Sequence, residues 1–354
     1  MIRDDPDHLV DCTGRPVSDF SMSNIFKNAD ALRPNLIAAF YVTAGYISGL
    51  LLMLSSSFLL NALGVVLFAH VMIIAAYFVH ECAHNTLFKN NRYHHWLGEI
   101  LLWICGASYS DYEAIRHKHM RHHTDRADVV SFDYRVKILQ YPKLLKVIQF
   151  LEWMYIPAME IAMHVLVIII PFIKKDRHQF RLRVITVLFM RIVFFTYLAS
   201  HSYMILLLYP LAYGLFLIVM RFMDIHQHTY ELFETLDHKR GEEAEKYDHE
   251  FEQKNTYSNL ISVKYPWLNL LVLNFPYHNA HHEQPVKPWY ALPQLHKKLY
   301  GDNEEQILSF SDLVKSYRRY RVERVLNADA IEMPVKSLKD KFIGVDGVSF
   351  LTTH

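Results

Sequence analysis

Three clusters of histidine carry the reactive side chains of this sequence: His80-Glu81-Cys82-Ala83-His84, His119-Met120-Arg121-His122-His123 and, far downstream, His278-Asn279-Ala280-His281-His282. Residues at i, i+3 and i+4 share one face of a helix, so His80 points with His84, His119 with His122 and His123, and His278 with His281 and His282. Neutral imidazole is a ligand of intermediate softness that suits iron, zinc, copper or nickel. Eight such groups exceed what one ion uses, and two ions with about four or five ligands each is the economical reading. A further ligand is expected in Asp224-Ile225-His226-Gln227-His228, where His228 shares a helical face with Asp224 and is preferred over His226. Asp224 is expected to act through a bound water or to orient a ligand, as metal-bound imidazoles require.

What must position these groups is a membrane protein. The chain has 354 residues, of which 52% are hydrophobic and only 21% charged, a balance unlike that of a soluble domain of this size. Mean hydropathy is only +0.05, so the apolar residues are concentrated in a few stretches beside polar regions. A net charge of +1 gives no reason to expect nucleic acid as a partner. Cys12, Cys82 and Cys105 form no CxxC pair, which excludes a disulfide framework and a thiolate metal site. The first 34 residues are polar and carry no signal peptide, which implies a cytosolic N-terminal segment over residues 1–34.

Runs of about 20 apolar residues cross the roughly 30 Å hydrocarbon core as helices. Four are expected, at about 35–54, 59–79, 184–200 and 203–221, with Arg191 an anomaly inside the third. If the three clusters build one site they lie on one membrane face, so crossings between them must be even in number. The 150–173 stretch is therefore expected to lie in-plane or re-entrant: basic residues flank it at both ends, and Glu152, Pro157, Glu160 and His164 interrupt it. The 96–108 stretch is too short to span and is placed likewise. The expected fold is an all-α integral membrane protein whose four transmembrane helices form two hairpins, with both termini and all clusters on the cytosolic face. Residues 235–256 read as a solvated loop or surface helix. Residues 301–354 form a cytosolic tail whose Ile307, Leu308, Phe310, Leu313, Val314 and Tyr317 pattern predicts an amphipathic helix. The remaining histidines, among them His94, His117 and His296, are expected at the surface or around the site. Trp96, Trp103, Tyr109, Trp153 and Tyr155 are candidates for a substrate tunnel or for an interfacial aromatic belt.

At its clusters the sequence resembles the membrane fatty acid desaturases, including acyl-lipid members. That family carries a HxxxH box after a transmembrane helix, then a HxxHH box and a last HxxHH box, here His80–His84, His119–His123 and His278–His282. The likeness extends to Pro285-Val286-Lys287-Pro288-Trp289-Tyr290-Ala291-Leu292-Pro293, and Gln227-His228-Thr229 is similar to the run that supplies an additional ligand. It covers about residues 35–300. The resemblance implies a cytosolic helical cap over the membrane helices, holding two iron ions on histidines alone. By that likeness His80, His119, His123 and His281 serve one iron, and His84, His122, His228, His278 and His282 the other.

The activity so implied is oxygen-dependent insertion of a double bond into an acyl chain, expected to be esterified in a membrane lipid. An unactivated methylene has no acidic proton and no leaving group, so its oxidation calls for redox metals with molecular oxygen as co-substrate. No haem domain is visible at either end, which implies a separate electron donor such as a ferredoxin or small haem protein. A hydroxylase or ketolase on the same scaffold is the nearest alternative. A histidine-rich metal transporter is a more distant one, since the clusters sit after helix ends and not along a pore.

Overall fold

Uninterrupted apolar runs set the longest elements. The computed structural model describes residues 25–131, 134–230, 233–236, 248–301, 303, 305–326 and 350–353; most of the expected N-terminal segment, Asp237 and His238, and residues 327–349 of the tail lie outside them. Helices α1 (Leu32–Met53) and α2 (Phe58–Ala83) pack closely, and a Cβ on Gly64 would lie 2.8 Å from the Met53 amide nitrogen. Small residues permit such approach between apolar helices. α2 is the central element, with every residue from Val71 to Ala83 buried.

Asn90 caps α3 (Asn91–Ile104) and Asp111 caps α4 (Tyr112–Asp125), each side chain accepting a hydrogen bond from an orphan amide of the first turn. Then follow β1 (Asp128–Val130), α5 (Tyr134–Leu139), α6 (Pro142–Trp153), α7 (Ala158–Ile173), α8 (Arg181–His201) and α9 (Ile205–Asp224). β2 (Phe233–Thr235) pairs in parallel with β1, a small departure from the all-α expectation. Short helices α10 (His249–Lys254), α11 (His278–Glu283), α12 (Leu292–Tyr300) and α13 (Phe310–Tyr320) complete the described chain. In α13 Leu313 and Tyr317 are buried while Phe310 and Val314 are exposed, so only part of the expected apolar stripe packs inward.

Four helices are long and apolar enough to cross a membrane: Leu32–Met53, Phe58–Ala83, Lys175–His201 and Ile205–Asp224. They coincide with the four expected crossings. The 150–173 stretch is not one helix: it breaks between α6 and α7, where Tyr155 adopts φ 63° and Pro157 precedes the new helix. Buried Glu152 holds this corner, accepting from the Met159 amide at 3.0 Å and from Arg221 of α9 at 2.5 Å.

Arg191 explains itself through the 96–108 stretch. Its guanidinium donates to the Trp103 carbonyl at 2.5 Å and lies 4.0 Å over the Trp103 ring, whereas Arg183 binds Glu99 at 2.5 Å and the Ser108 carbonyl at 3.0 Å. Arg183 and Arg191 are about 12 Å apart along α8 at 1.5 Å per residue. The chain from Glu99 to Ser108 therefore runs along α8 and returns, turning at Gly106, whose φ is +79°.

Candidate metal centre

The ends of α2, α4 and α11 deliver the clusters. His80 lies in the last turn of α2 and His84 caps it, Asn85 with φ 54° turning the chain away. α4 ends at Arg126 with φ 49°, which lets the His122 Nδ1 donate to the Ala127 carbonyl at 2.8 Å. α9 stops at Asp224, so the same-helix argument for His228 does not hold; instead His228 bridges antiparallel to Thr256. His226 points elsewhere, its Nδ1 on the Phe222 carbonyl at 2.7 Å and its Nε2 at 3.2 Å from Arg324.

All nine preferred histidines converge. His84 Nε2 lies 2.7 Å from His119 Nε2, and His123 Nε2 lies 3.2 Å from both His119 Nε2 and His281 Nε2. His228 Nε2 lies 3.1 Å from His122 Nε2 and 2.9 Å from His278 Nε2. Each neutral ring has one proton, so these contacts cannot all be hydrogen bonds. Nitrogens held about 2.1 Å from one ion at right angles stand about 3.0 Å apart, the spacing found here. Both His80 nitrogens and His282 Nε2 are buried without a hydrogen-bond partner, which fits atoms awaiting a cation.

The ligand atoms fall into two groups whose members lie within 4.8 Å of one another: His80, His84, His119, His123 and His281, and His122, His228, His278 and His282. His84 thus joins the first group and not the second, to which the resemblance assigned it. Its place at the α2 cap, against His119, decides this.

Burial is the first cause that holds these imidazoles neutral: it lowers His84, His119, His122, His123, His228, His278 and His282 below the usual range and His281 to about 3. Neutral rings keep a lone pair for a metal, and neighbouring groups select which nitrogen carries it. Thr256 gives its proton to the Glu252 carbonyl at 2.7 Å, so its oxygen accepts from His228 Nδ1 at 3.2 Å. Glu252 accepts from His282 Nδ1 at 2.8 Å and from Arg126 at 3.1 Å. Glu252 also falls within ligand reach of His123 and His282. It belongs to the 235–256 stretch expected to be solvated, yet it is buried.

Glu81, inside the first cluster, turns away from the metal groups. It accepts from Thr86 at 2.7 Å and from the Trp289 amide at 3.1 Å, joining the first cluster to the segment after the last. A cavity of about 50 Å³ opens beside the centre, lined by His80, Lys118, His119, Asp128, Asp224, Phe275 and Phe350 among others. Asp224 Oδ1 has no hydrogen-bond partner among the described residues. Burial lowers Lys118 to about 7 and raises Asp128 to about 7.

The other expectations separate cleanly. His117 is exposed, but His94 is fully buried, its Nε2 accepting from the Leu87 and Phe88 amides at 3.2 and 3.0 Å. His296 is also buried. Tyr109 lines a larger cavity of about 340 Å³ with Gly106, His164, Arg191, Tyr213 and Leu217; Trp96, Trp153 and Tyr155 are exposed and suit an aromatic belt. Sequence reasoning missed Glu252, Thr256, Glu81 and Phe350, and only Glu81, within a cluster, carried any local signal.

A family model described as fatty acid desaturase matches residues 56–313, a span that contains all three clusters and His228. No curated protein matches the chain.

Proposed function

The chain belongs to the fatty acid desaturase family, and from that footing we propose an oxygen-dependent acyl desaturase that inserts a double bond into a chain carried by a membrane lipid. The carrying observation is the pair of imidazole groups, nine ligands in all, in a chain that also holds a mainly apolar cavity of about 340 Å³. Cavities of this size and lining hold a large part of a long apolar ligand. Leu217 of that cavity and Asp224 of the metal cavity are about 10 Å apart along α9 at 1.5 Å per residue, so a chain seated in one extends toward the other.

The proposed ligands are His80, His84, His119, His123 and His281 for one iron, and His122, His228, His278 and His282 for the other. Bound there, two irons would supply the oxygen chemistry needed to remove hydrogen from an unactivated methylene. The protein's own groups do the rest. Ala127, Thr256 and Glu252 fix which nitrogens of His122, His228 and His282 face the centre. Phe275, whose ring stands 4.7 Å from His80 and 5.0 Å from His278, keeps water from that side. Asp224 is proposed to reach the centre through a water. The working unit is residues 35–300, with two membrane hairpins, the metal centre and both termini on the cytosolic face, and reduction by a separate electron-donor protein. The basic residues flanking 150–173 and the absence of Lys and Arg at Ser55–Ser57 and Ser200–Tyr203 support that orientation.

The test is lipid profiling of cells expressing the chain, with His122→Ala as control. The expected product has lost two hydrogens and appears only with the unaltered chain. A product gaining one oxygen would replace desaturation with hydroxylation or ketone formation on the same centre. Unchanged lipids with an iron-loaded, reduced protein would remove the proposal.

A further inference from the structure

One segment outside the family match closes the metal centre. Phe350, Leu351, Thr352 and Thr353 are all buried. The Phe350 ring lies 6.1 Å from His80 and 6.0 Å from His119 and forms part of the 50 Å³ cavity wall. That cavity is far smaller than the apolar one of about 340 Å³.

What holds the segment is a set of donors aimed at its backbone. Lys118 Nζ donates to the Thr352 carbonyl at 3.0 Å, Ser131 Oγ to the same carbonyl at 2.7 Å, and Ser110 Oγ to the Thr353 carbonyl at 2.6 Å. None of these bonds reads a side chain of the segment. Thr353 lines a small cavity with Met163, Val167, Lys174 and Arg177. Ser110 adjoins Tyr109 of the 340 Å³ apolar cavity. The segment is thus ordered in polarity: the Phe350 ring against the metal ligands, carbonyl oxygens in a donor cradle, then cations. An acyl ester of a phospholipid has that order too, with methylenes, ester oxygens and an anionic head group.

We propose that Phe350–Thr353 occupies the binding place of the substrate's ester end as an internal competitor, and that Ser110, Ser131 and Lys118 form the cradle for ester oxygens. The inference rests on the acyl-oxidation reading above. Lipid must displace the segment before methylenes approach His80 and His119. A site blocked in most molecules binds with an apparent affinity reduced by the open fraction.

The experiment uses the iron-loaded full chain with Thr353→Cys in a Cys12→Ser background, Cys82 and Cys105 being buried. Maleimide labelling of Cys at 353 is timed with dioleoyl phosphatidylglycerol, with oleoyl-coenzyme A, and with neither. Labelling is expected to rise about tenfold with the phospholipid; a rise with the thioester alone would assign the cradle to a soluble acyl carrier. Deleting Phe350–Thr353 is expected to lower KM for the lipid about fivefold or more with iron content unchanged, and Ser110→Ala in that background to raise it again. Labelling indifferent to both acyl compounds overturns the inference even where the deleted form does not fold. So does loss of turnover on deletion with iron retained, because the segment is then a working wall. If both forms oxidise lipid with equal KM, the inference fails and the oxidase reading stands. If neither oxidises any acyl compound with iron and reductant present, the oxidase reading itself fails.

Discussion

Glu252→Gln tests whether the groups around the imidazoles, and not the imidazoles alone, set metal affinity. Glu252 is 5% exposed and accepts from His282 Nδ1 at 2.8 Å and from Arg126 Nε at 3.1 Å, on separate oxygens. Glutamine preserves the shape but offers one acceptor oxygen, so its amide nitrogen must face one of these donors. Losing a hydrogen bond to a buried charge costs about 1.5–3 kcal/mol. At 1.4 kcal/mol per tenfold this is a weakening of iron binding by about ten- to a hundredfold, the range typical when a ligand's supporting partner is removed. Competition with a graded series of chelators, followed by iron determination per chain, measures it. The exposed neighbour provides the control: Glu250→Gln should leave affinity unchanged. Equal iron affinity in folded Glu252→Gln and unaltered protein would refute the reasoning and reduce Glu252 to a surface-tying role with Arg126.

His228→Ala should lose iron from one of the two groups, while His226→Ala should retain both ions and show only lower thermal stability, since its nitrogens serve Phe222 and Arg324; equal iron loss in the two would contradict the assignment. Arg221→Met removes the cation paired with the buried Glu152 carboxylate and should cost about 3–5 kcal/mol in unfolding free energy, whereas the double change with Glu152→Met should recover most of it. His94 must be neutral to accept two amides, and burial, with Lys27 and Arg116 adding to it, lowers it from 6.5 to about 4. Its stabilisation is complete above pH 6.5 and is lost as pH falls from 6.5 toward 4, up to about 3 kcal/mol; melting curves of His94→Gln across that window should fall less steeply than those of the unaltered chain.

The metal groups were legible because their ligand spacing is local: i, i+3 and i+4 pairs survive in any helix, whatever surrounds it. His228 was legible by its chemistry but for the wrong geometric reason, since the helix ends at Asp224 and a bridge to Thr256 sets its direction. Glu252 was not legible, because it meets His282 across 30 residues and sits among charges that mask it. The four helices long enough to cross a membrane followed from apolar run length. The corner at 154–157 did not, although Pro157 marked it, because the flanking apolar residues read as continuous. The assignment of His84 depended on a cap orientation that no pattern encodes. The placement of Phe350–Thr353 depended on backbone carbonyls, which every sequence possesses.

Arg191 has a consequence for how the protein is made. A lone arginine at the centre of a helix costs about 2.5–3.5 kcal/mol on insertion through the translocation machinery, and here the Trp103 carbonyl and ring meet it. The Tyr209 hydroxyl of α9 also accepts from it at 3.3 Å, but the shortest bond, to the Trp103 carbonyl, is made upstream, by chain that has already left the ribosome when α8 emerges. The expected consequence is an order of biogenesis in which the segment carrying Trp103 docks first and receives α8. In a glycosylation-mapping assay, α8 with α9 alone should insert poorly and Arg191→Leu should restore it. Synthesis from the N-terminal side gives the nascent chain the solvent its buried cation needs.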